Sequence, residues 1–236
     1  MTADPKAIFF DMDGTLVDWR SGMDEKWLLA CENACARVKL VDAQKLYEMI
    51  LQRRTWFWED RERATRGRMD LLAASTEIAT HALADLGIDD GDLARAIATD
   101  FRRRREEALT LYHGAIETLE AVRARGIATA LITNGGAEPQ RRTVERFGLG
   151  RYFDCIVIEG EFGVGKPDER VFRHALETVI CDPVTAWMVG DNLDADIGGA
   201  HALGIHTIWI DEAGAGLPAD ARVRPGRIIR SIAELL

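Results

Sequence analysis

Two aspartates one residue apart, Asp11 and Asp13, follow the apolar run Ala7-Ile8-Phe9-Phe10 and precede the pair Gly14-Thr15. Carboxylates this close repel, and they stay ionised together only beside a cation or a shared proton. The plain alternative is a strand-end turn, since Asp and Gly are ordinary turn formers. A second acidic group, Asp191, Asp194 and Asp196, is packed into the stretch Gly190-Asp191-Asn192-Leu193-Asp194-Ala195-Asp196. Such crowding is unfavourable without a cation or a lysine near it. Hard carboxylate oxygens at few positions suit Mg2+, which keeps several waters and takes phosphate oxygens as further ligands. Between these clusters, Thr133-Asn134-Gly135-Gly136 offers a hydroxyl and glycine-freed backbone N–H groups that suit a phosphate oxygen, or else forms a plain loop. Gly165-Lys166-Pro167-Asp168 holds a lysine rigidly between glycine and proline, with Asp168 able to cap a following helix. An isolated lysine of that kind also reads as a surface residue in a turn.

Chemistry of this kind needs elements that bring distant stretches together. The apolar run at about 6–11 reads as a short buried strand. From residue 24 to 107 the periodicity is helical. Asp24-Glu25-Lys26 opens a helix carrying Leu28, Cys31, Cys35 and Val38 at three- and four-residue spacing. Further helices are expected at 42–59, at 69–86 with Gly87 as a left-handed cap, and at 90–107. From residue 111 strands and helices alternate. Helices are expected at 115–125, 138–147, 168–179 and 194–203, and strands at 127–133, 155–158, 185–190 and 206–210. The tail closes with Ile228-Ile229 and a short helix to Leu236. Alternation of this sort implies an α/β fold, a doubly wound parallel sheet covered on both faces, with an all-helical segment inserted after the first strand. The expected division is a core of 1–17 plus 109–236 and an insert of 18–108. In open sheets of this class ligands bind beyond the carboxyl ends of the strands, and all four chemical stretches fall at such ends.

The bulk properties narrow the partners. The chain has 236 residues, 47% of them hydrophobic and 29% charged, as in an ordinary globular protein. A net charge of -9 provides no basic field for a nucleic-acid backbone, though it leaves room for a small anion at a local positive site. No apolar run approaches the roughly 20 residues that span a membrane, so no membrane partner is expected. The first strand is expected to begin by about residue 6, so no signal peptide is expected. Cys31, Cys35, Cys155 and Cys181 form no metal-type pair. Cys31 and Cys35 share a helix face and read as small core residues. Reduced thiols fit a cytoplasmic location. In the insert, Arg53-Arg54-Thr55-Trp56-Phe57-Trp58 and Arg61, Arg63, Arg66 and Arg68 stand out. Trp58 is expected in the core and the arginines mostly on a solvated face, while Arg54, Trp56 and Arg63 are the candidates for reading a substrate. The oligomeric state, monomer or homodimer, is open.

The four chemical stretches, in this order, resemble the four motifs of the haloacid dehalogenase (HAD) superfamily, most of whose members are magnesium-dependent phosphohydrolases. The resemblance covers the α/β core, and the insert matches the position of the small helical cap of the first cap class. It implies Asp11 as nucleophile and Asp13 as general acid and base. It further implies Thr133 and the Asn134 backbone as phosphate-binding, and Lys166 as the cation beside nucleophile and phosphoryl group. Mg2+ would be held by Asp11, the Asp13 main-chain carbonyl and Asp191, with Asp196 supporting. Asp194 lies outside the family pattern and is expected to cap a helix. The wording around Thr133 and Asp191 looks most like the nucleotidase and acylneuraminate-9-phosphatase subgroup. The implied activity is hydrolysis of a small phosphorylated metabolite, a nucleoside monophosphate or sugar phosphate, through an aspartyl-phosphate. A phosphomutase shares every core residue. A haloacid dehalogenase needs neither the metal nor an acid at position 13, and a retired binding protein has no need of the intact set.

Overall fold

The computed structural model describes residues 4–38 and 42–235. The chain divides into two compact units, one of Met1–Asp18 with Thr110–Leu236 and the other of Trp19–Leu109.

The first unit is built on strand β1 (Ala7–Phe10), whose four residues are all buried. Successive side chains of a strand point to opposite faces, so Phe9 and Phe10 can both be buried only if both faces are covered. One face is covered by the helix that carries Val171, Phe172, Ala175 and Leu176, packed on Ala7, Phe9, Ala130 and Met188. On the other, Phe10 meets the ring of Phe153 edge to face at 6.1 Å.

The short ribbon β2 (Val17–Asp18) pairs antiparallel with β3 (Thr110–Leu111), joining Val17 to Leu111 and Asp18 to Thr110. The remaining strands are β4 (Ala128–Thr133), β5 (Cys155–Ile158), β6 (Ala186–Gly190), β7 (His206–Ile210) and β8 (Arg227–Ile229). Among the described residues they form with β1 a six-stranded sheet ordered β5-β4-β1-β6-β7-β8, with every pairing parallel. The chain leaves β1 to build one side through β4 and β5, then crosses to build the other through β6, β7 and β8. That reversal makes β1 and its neighbours the topological switch point, where a crevice opens beyond the carboxyl ends of the strands.

The second unit holds α1 (Met23–Val38), α2 (Ala43–Glu59), α3 (Arg61–Met69), α4 (Leu71–Asp85) and α5 (Gly91–Glu107). Aspartate side chains start four of these helices. Asp42, Asp60, Asp70 and Asp90 accept from the N–H groups of Gln44, Arg63, Ala73 and Leu93, which otherwise lack partners at a helix start. The core joins Trp27, stacked on Phe101 at 3.7 Å, to Leu46, Ile50, Phe57, Ile78 and Ile97. Cys31 is buried there and Cys35 packs against it. Burial, with the nearby Cys35, pushes the Cys31 thiol up to about 12, so it remains protonated. The side chain of Val38, expected on the same face, lies outside the described residues.

Two expectations for this unit need correction. The helix expected at 69–86 is preceded by a separate α3, and Asp70 both ends α3 and caps α4. Trp58 is 40% exposed rather than in the core. Leu46, Ile50 and Phe57 set the inward phase of α2, and one residue beyond Phe57 turns about 100° away. Gly87 does adopt φ 75° after α4. Among the described residues no helix is long and apolar enough to cross a membrane.

Candidate active site

The helices that complete the first unit are α6 (Ala115–Ala124), α7 (Ala137–Arg146), α8 (Glu159–Phe162), α9 (Glu169–Thr178) and α10 (Gly199–His201). The loops between these and the strands bring Asp11, Asp13, Thr133, Lys166, Asp191 and Asp196 to one end of the sheet.

Asp11 follows β1 directly and its N–H still donates to Val189 O, at 2.9 Å, so the residue is fixed by the sheet it leaves. Next, the Met12 carbonyl accepts from the N–H groups of Leu16 and Val17, both at 2.9 Å, folding the chain sharply back. Gly14 occupies that turn at φ 95°, and a Cβ there would run into the Asp191 carboxylate. Only glycine allows both the left-handed backbone and the approach of Asp191.

The opposite acidic turn is built in the same economical way. Asp191 follows β6, and its carbonyl accepts from Trp209 Nε1 at 2.8 Å. A Cβ on Gly190 would collide with the Asp196 side chain, so glycine lets Asp196 fold back over the strand end. The expected helix at 194–203 is instead a π-helical turn, Leu193–Gly198, followed by α10. Asn192, not Asp194, supplies the cap, its Oδ1 accepting from the N–H groups of Asp194 at 3.0 Å and Ala195 at 2.9 Å. Asn192 is the better placed because a cap residue stands outside the helix with extended backbone, whereas Asp194 is already within the turn. The Asn192 N–H donates to Asp196 Oδ2 at 2.9 Å.

Lys166 is 3% exposed and joins the two turns. Its Nζ lies 2.7 Å from Asp11 Oδ1 and 2.7 Å from Asp196 Oδ1. Burial works to discharge this ammonium, but the carboxylates of Asp11 and Asp196 more than offset it and hold its pKa above the ordinary lysine range. Burial pushes the Asp196 carboxyl up to about 6, against the pull of Lys166 and with the charge of Asp11 adding to the rise. The lysine loop is clamped from β4. Asn134 Nδ2 donates to Lys166 O and Asn134 Oδ1 accepts from Lys166 N, each at 2.7 Å. Asp168 caps α9 as expected, accepting from the Arg170 N–H at 3.0 Å.

Oxygens of Asp11, Asp191 and Asp196 lie within 4.8 Å of one another. Asp11 Oδ2 is buried and has no hydrogen-bond partner among the described residues. A buried carboxylate oxygen left without a donor is costly, and a divalent cation among three carboxylates would satisfy it. The donor set is all oxygen, which favours a hard ion.

Three polar residues at the site were not anticipated. Gln140 of α7 donates from Nε2 to Asp13 Oδ2 at 2.8 Å and accepts at Oε1 from Thr133 Oγ1 at 3.3 Å. Glu159, buried, accepts from the Gly135 N–H at 3.0 Å. Asn192 is the third. Gln140 had a signal in the sequence: with Ala137 and Val144 it falls at three- and four-residue spacing on the face of α7 that packs inward, and a glutamine there must find buried partners.

The candidates Arg54, Trp56 and Arg63 lie in the helical unit. Arg54 pairs with Asp24 at 2.6 Å. The Arg63 guanidinium lies 3.9 Å above the Trp56 ring and donates to Trp56 O at 2.6 Å. Trp56 also meets His81 edge-on at 4.9 Å. These contacts brace α2 against α1, α3 and α4.

The family model for the haloacid dehalogenase-like hydrolases matches residues 5–204. A phosphoserine phosphatase of Thermus thermophilus is 39% identical over 143 residues, which span 60% of this chain and 56% of that protein. The N-acylneuraminate-9-phosphatase of Rattus norvegicus is 28% identical over 248 residues, covering 98% of this chain and 92% of the relative. Among solved structures, the HAD-hydrolase YfnB of Bacillus subtilis, bound to magnesium, superposes with a TM-score of 0.75 at 21% identity, over 98% and 97% of the two chains. A 2-haloacid dehalogenase of Pseudomonas syringae superposes with a TM-score of 0.62 at 28% identity, over 98% and 96%.

Proposed function

This chain belongs to the haloacid dehalogenase-like hydrolase family, and from that premise we propose that it is a Mg2+-dependent phosphomonoesterase working through an aspartyl-phosphate. The observation that carries the proposal is the arrangement around Asp11. One of its oxygens is held by Lys166, and the other is buried beside Asp191 and Asp196 without a hydrogen-bond partner among the described residues.

Asp11 is the nucleophile, fixed in direction by the sheet and by Lys166. Its attack on phosphorus forms the aspartyl-phosphate as the bond to the leaving oxygen breaks. Asp13 gives that oxygen a proton and later takes one from the water that releases phosphate, transfers of a kind worth about 10²–10⁴-fold. The Thr133 hydroxyl, the backbone N–H groups after it and the Lys166 ammonium bind the phosphoryl oxygens. Asp11, the Asp13 carbonyl and Asp191 would hold Mg2+, with Asp196 supporting, and the bound ion would offset the mutual repulsion of the carboxylates and the phosphoryl group. A dehalogenase has no use for an acid at Asp13 or for the Asp191–Asp196 pair, and both are built into this site. The relatives' names favour a small phosphorylated substrate, a sugar phosphate or nucleoside monophosphate. The helical insert, residues 18–108, is proposed as a lid that reads the leaving group.

The test is a panel of phosphomonoesters with the purified protein, with and without EDTA. Phosphate release that needs Mg2+ and disappears in Asp11→Asn is expected. Halide release from 2-haloacids, or sugar-phosphate isomerisation without net phosphate, would replace this reading by a dehalogenase or a mutase. No turnover of any of these would leave a binding protein.

A further inference from the structure

We propose that Gln140 is the positioning residue for Asp13, holding one carboxylate oxygen so that the other is presented to the leaving group. The proposal rests on the reading of Asp13 as the acid and base.

Gln140 lies in the first turns of α7 and is 7% exposed. Its Nε2 is 2.8 Å from Asp13 Oδ2 and 3.2 Å from the backbone oxygen of Asn134. A backbone carbonyl only accepts, so the amide nitrogen must be the atom that faces it. Its second N–H then goes to Asp13 Oδ2. Meanwhile Oε1 accepts from the Thr133 hydroxyl at 3.3 Å. Rotating the amide by half a turn would set its oxygen against two acceptors, so the orientation is fixed.

Gly135 is part of the same construction. Its φ is 136°, and a Cβ there would stand 2.7 Å from Gln140 Nε2 and 3.2 Å from Gln140 Cγ. The glycine therefore leaves the space through which the glutamine reaches Asp13. Gln140 thus ties the phosphate-binding Thr133 to the acid on a different strand end, 127 residues earlier in the chain.

The chemical consequence is directional. An amide N–H can only donate, so Asp13 Oδ2 acts as an acceptor toward Gln140. The proton that Asp13 passes to the substrate is carried on Oδ1. As the Asp11–phosphorus bond forms and the phosphorus–leaving-oxygen bond breaks, that proton moves from Oδ1 to the leaving oxygen, and Asp13 is left as a carboxylate. In the second step the same oxygen takes the proton of the attacking water. Gln140 touches no reacting atom. It acts by denying Asp13 the rotations that would turn Oδ1 away.

The experiment is single-turnover phosphorylation of the full chain with Mg2+, using p-nitrophenyl phosphate, whose leaving group needs no proton, and glycerol phosphate, whose alkoxide does. Gln140→Met keeps the length of the side chain and removes the donor, and Gln140→Glu keeps its shape and turns an acceptor toward Asp13. Both should lose about 10–100-fold on glycerol phosphate and less than about threefold on p-nitrophenyl phosphate, part of the full value of the proton transfer. The ratio of the two rates on one preparation does not depend on how much of it is folded. Asp13→Asn is measured in parallel. If it shifts the ratio and neither Gln140 variant does, Gln140 is only a brace and the proposal is overturned. If Asp13→Asn itself leaves the ratio unchanged, the acid role of Asp13 falls first, and the positioning role with it.

Discussion

Lys166 holds two carboxylates with a single charge, and the consequences reach beyond catalysis. Asp196 is 1% exposed and depends on this lysine for its ion pair and on the Asn192 N–H for a hydrogen bond. Removing one partner of a buried pair costs about 3–5 kcal/mol, because the other charge is left without compensation. Lys166→Met should therefore lower stability as well as abolish turnover. The size of the loss should depend on pH, and its sign follows from Asp196. Its carboxyl is pushed up to about 6 by burial even with Lys166 pulling it down, so without the lysine it rises further. A group whose pKa is raised on folding contributes stability at low pH and loses that contribution as pH climbs through the folded value. The penalty of Lys166→Met should be smaller at pH 5, where Asp11 alone loses its partner, and should grow as pH climbs through 6 and Asp196 ionises as well. Urea denaturation of both proteins in EDTA at pH 5 and pH 8 checks this, and an equal penalty at the two pH values would contradict the assignment. Lys166, Asp11 and the acidic turn are legible in the sequence because their chemistry is unusual for their position. Gln140 and Asn134 are harder to read. Their work is to hold other residues, and an amide in a loop or helix carries no sign of which backbone it will meet.

At the scale of the element, the end of α9 shows a departure from ordinary chain termination. Cys181 N donates to Leu176 O at 3.0 Å and Ile180 N to Glu177 O at 3.3 Å, the paired bonds of a Schellman cap. The residue at the left-handed position of such a cap is usually glycine, but here it is Ile180, at φ 52° and 92% exposed. A β-branched side chain in that conformation costs about 1–2 kcal/mol, and its exposure means that no packing offsets it. Ile180→Gly should stabilise the protein by about 1 kcal/mol, raising Tm by roughly 2–4 °C for a chain of this size. A calorimetric scan decides it, and a lowered Tm would show that the side chain does something its exposure conceals. The strands and most helices lie within a residue or two of where periodicity puts them. The exceptions share a cause. α3 goes unread because its nine residues, Arg61–Met69, carry almost no apolar side chains, and the π-helical turn after Asn192 widens a helix without altering its hydrophobic spacing. Neither leaves a mark on the pattern of apolar residues.

For the whole molecule, the interruption after the first strand is visible in the sequence as a change of period, from alternating strands and helices to unbroken helix. What the sequence does not reveal is how the interruption is entered and left. The chain departs through β2 and returns through β3, and Asp18 stands opposite Thr110 as a hydrogen-bonded strand partner. Residues so paired have Cα atoms about 5.5 Å apart, a gap that a two-residue Asn-Gly turn spans in ordinary hairpins. The long helical excursion, Trp19–Leu109, is topologically a hairpin loop of extreme length. Closing it should therefore disturb neither the register of β1 nor the crossover to β4. A chain in which Asn-Gly replaces residues 19–109 is expected to melt cooperatively and to retain the near-ultraviolet circular dichroism of a packed aromatic core; a molten product would show that the parallel sheet needs the excursion to form. In engineering terms the ribbon is a socket: segments of different length or lineage can be plugged in at the same two residues while the catalytic chassis stays the same.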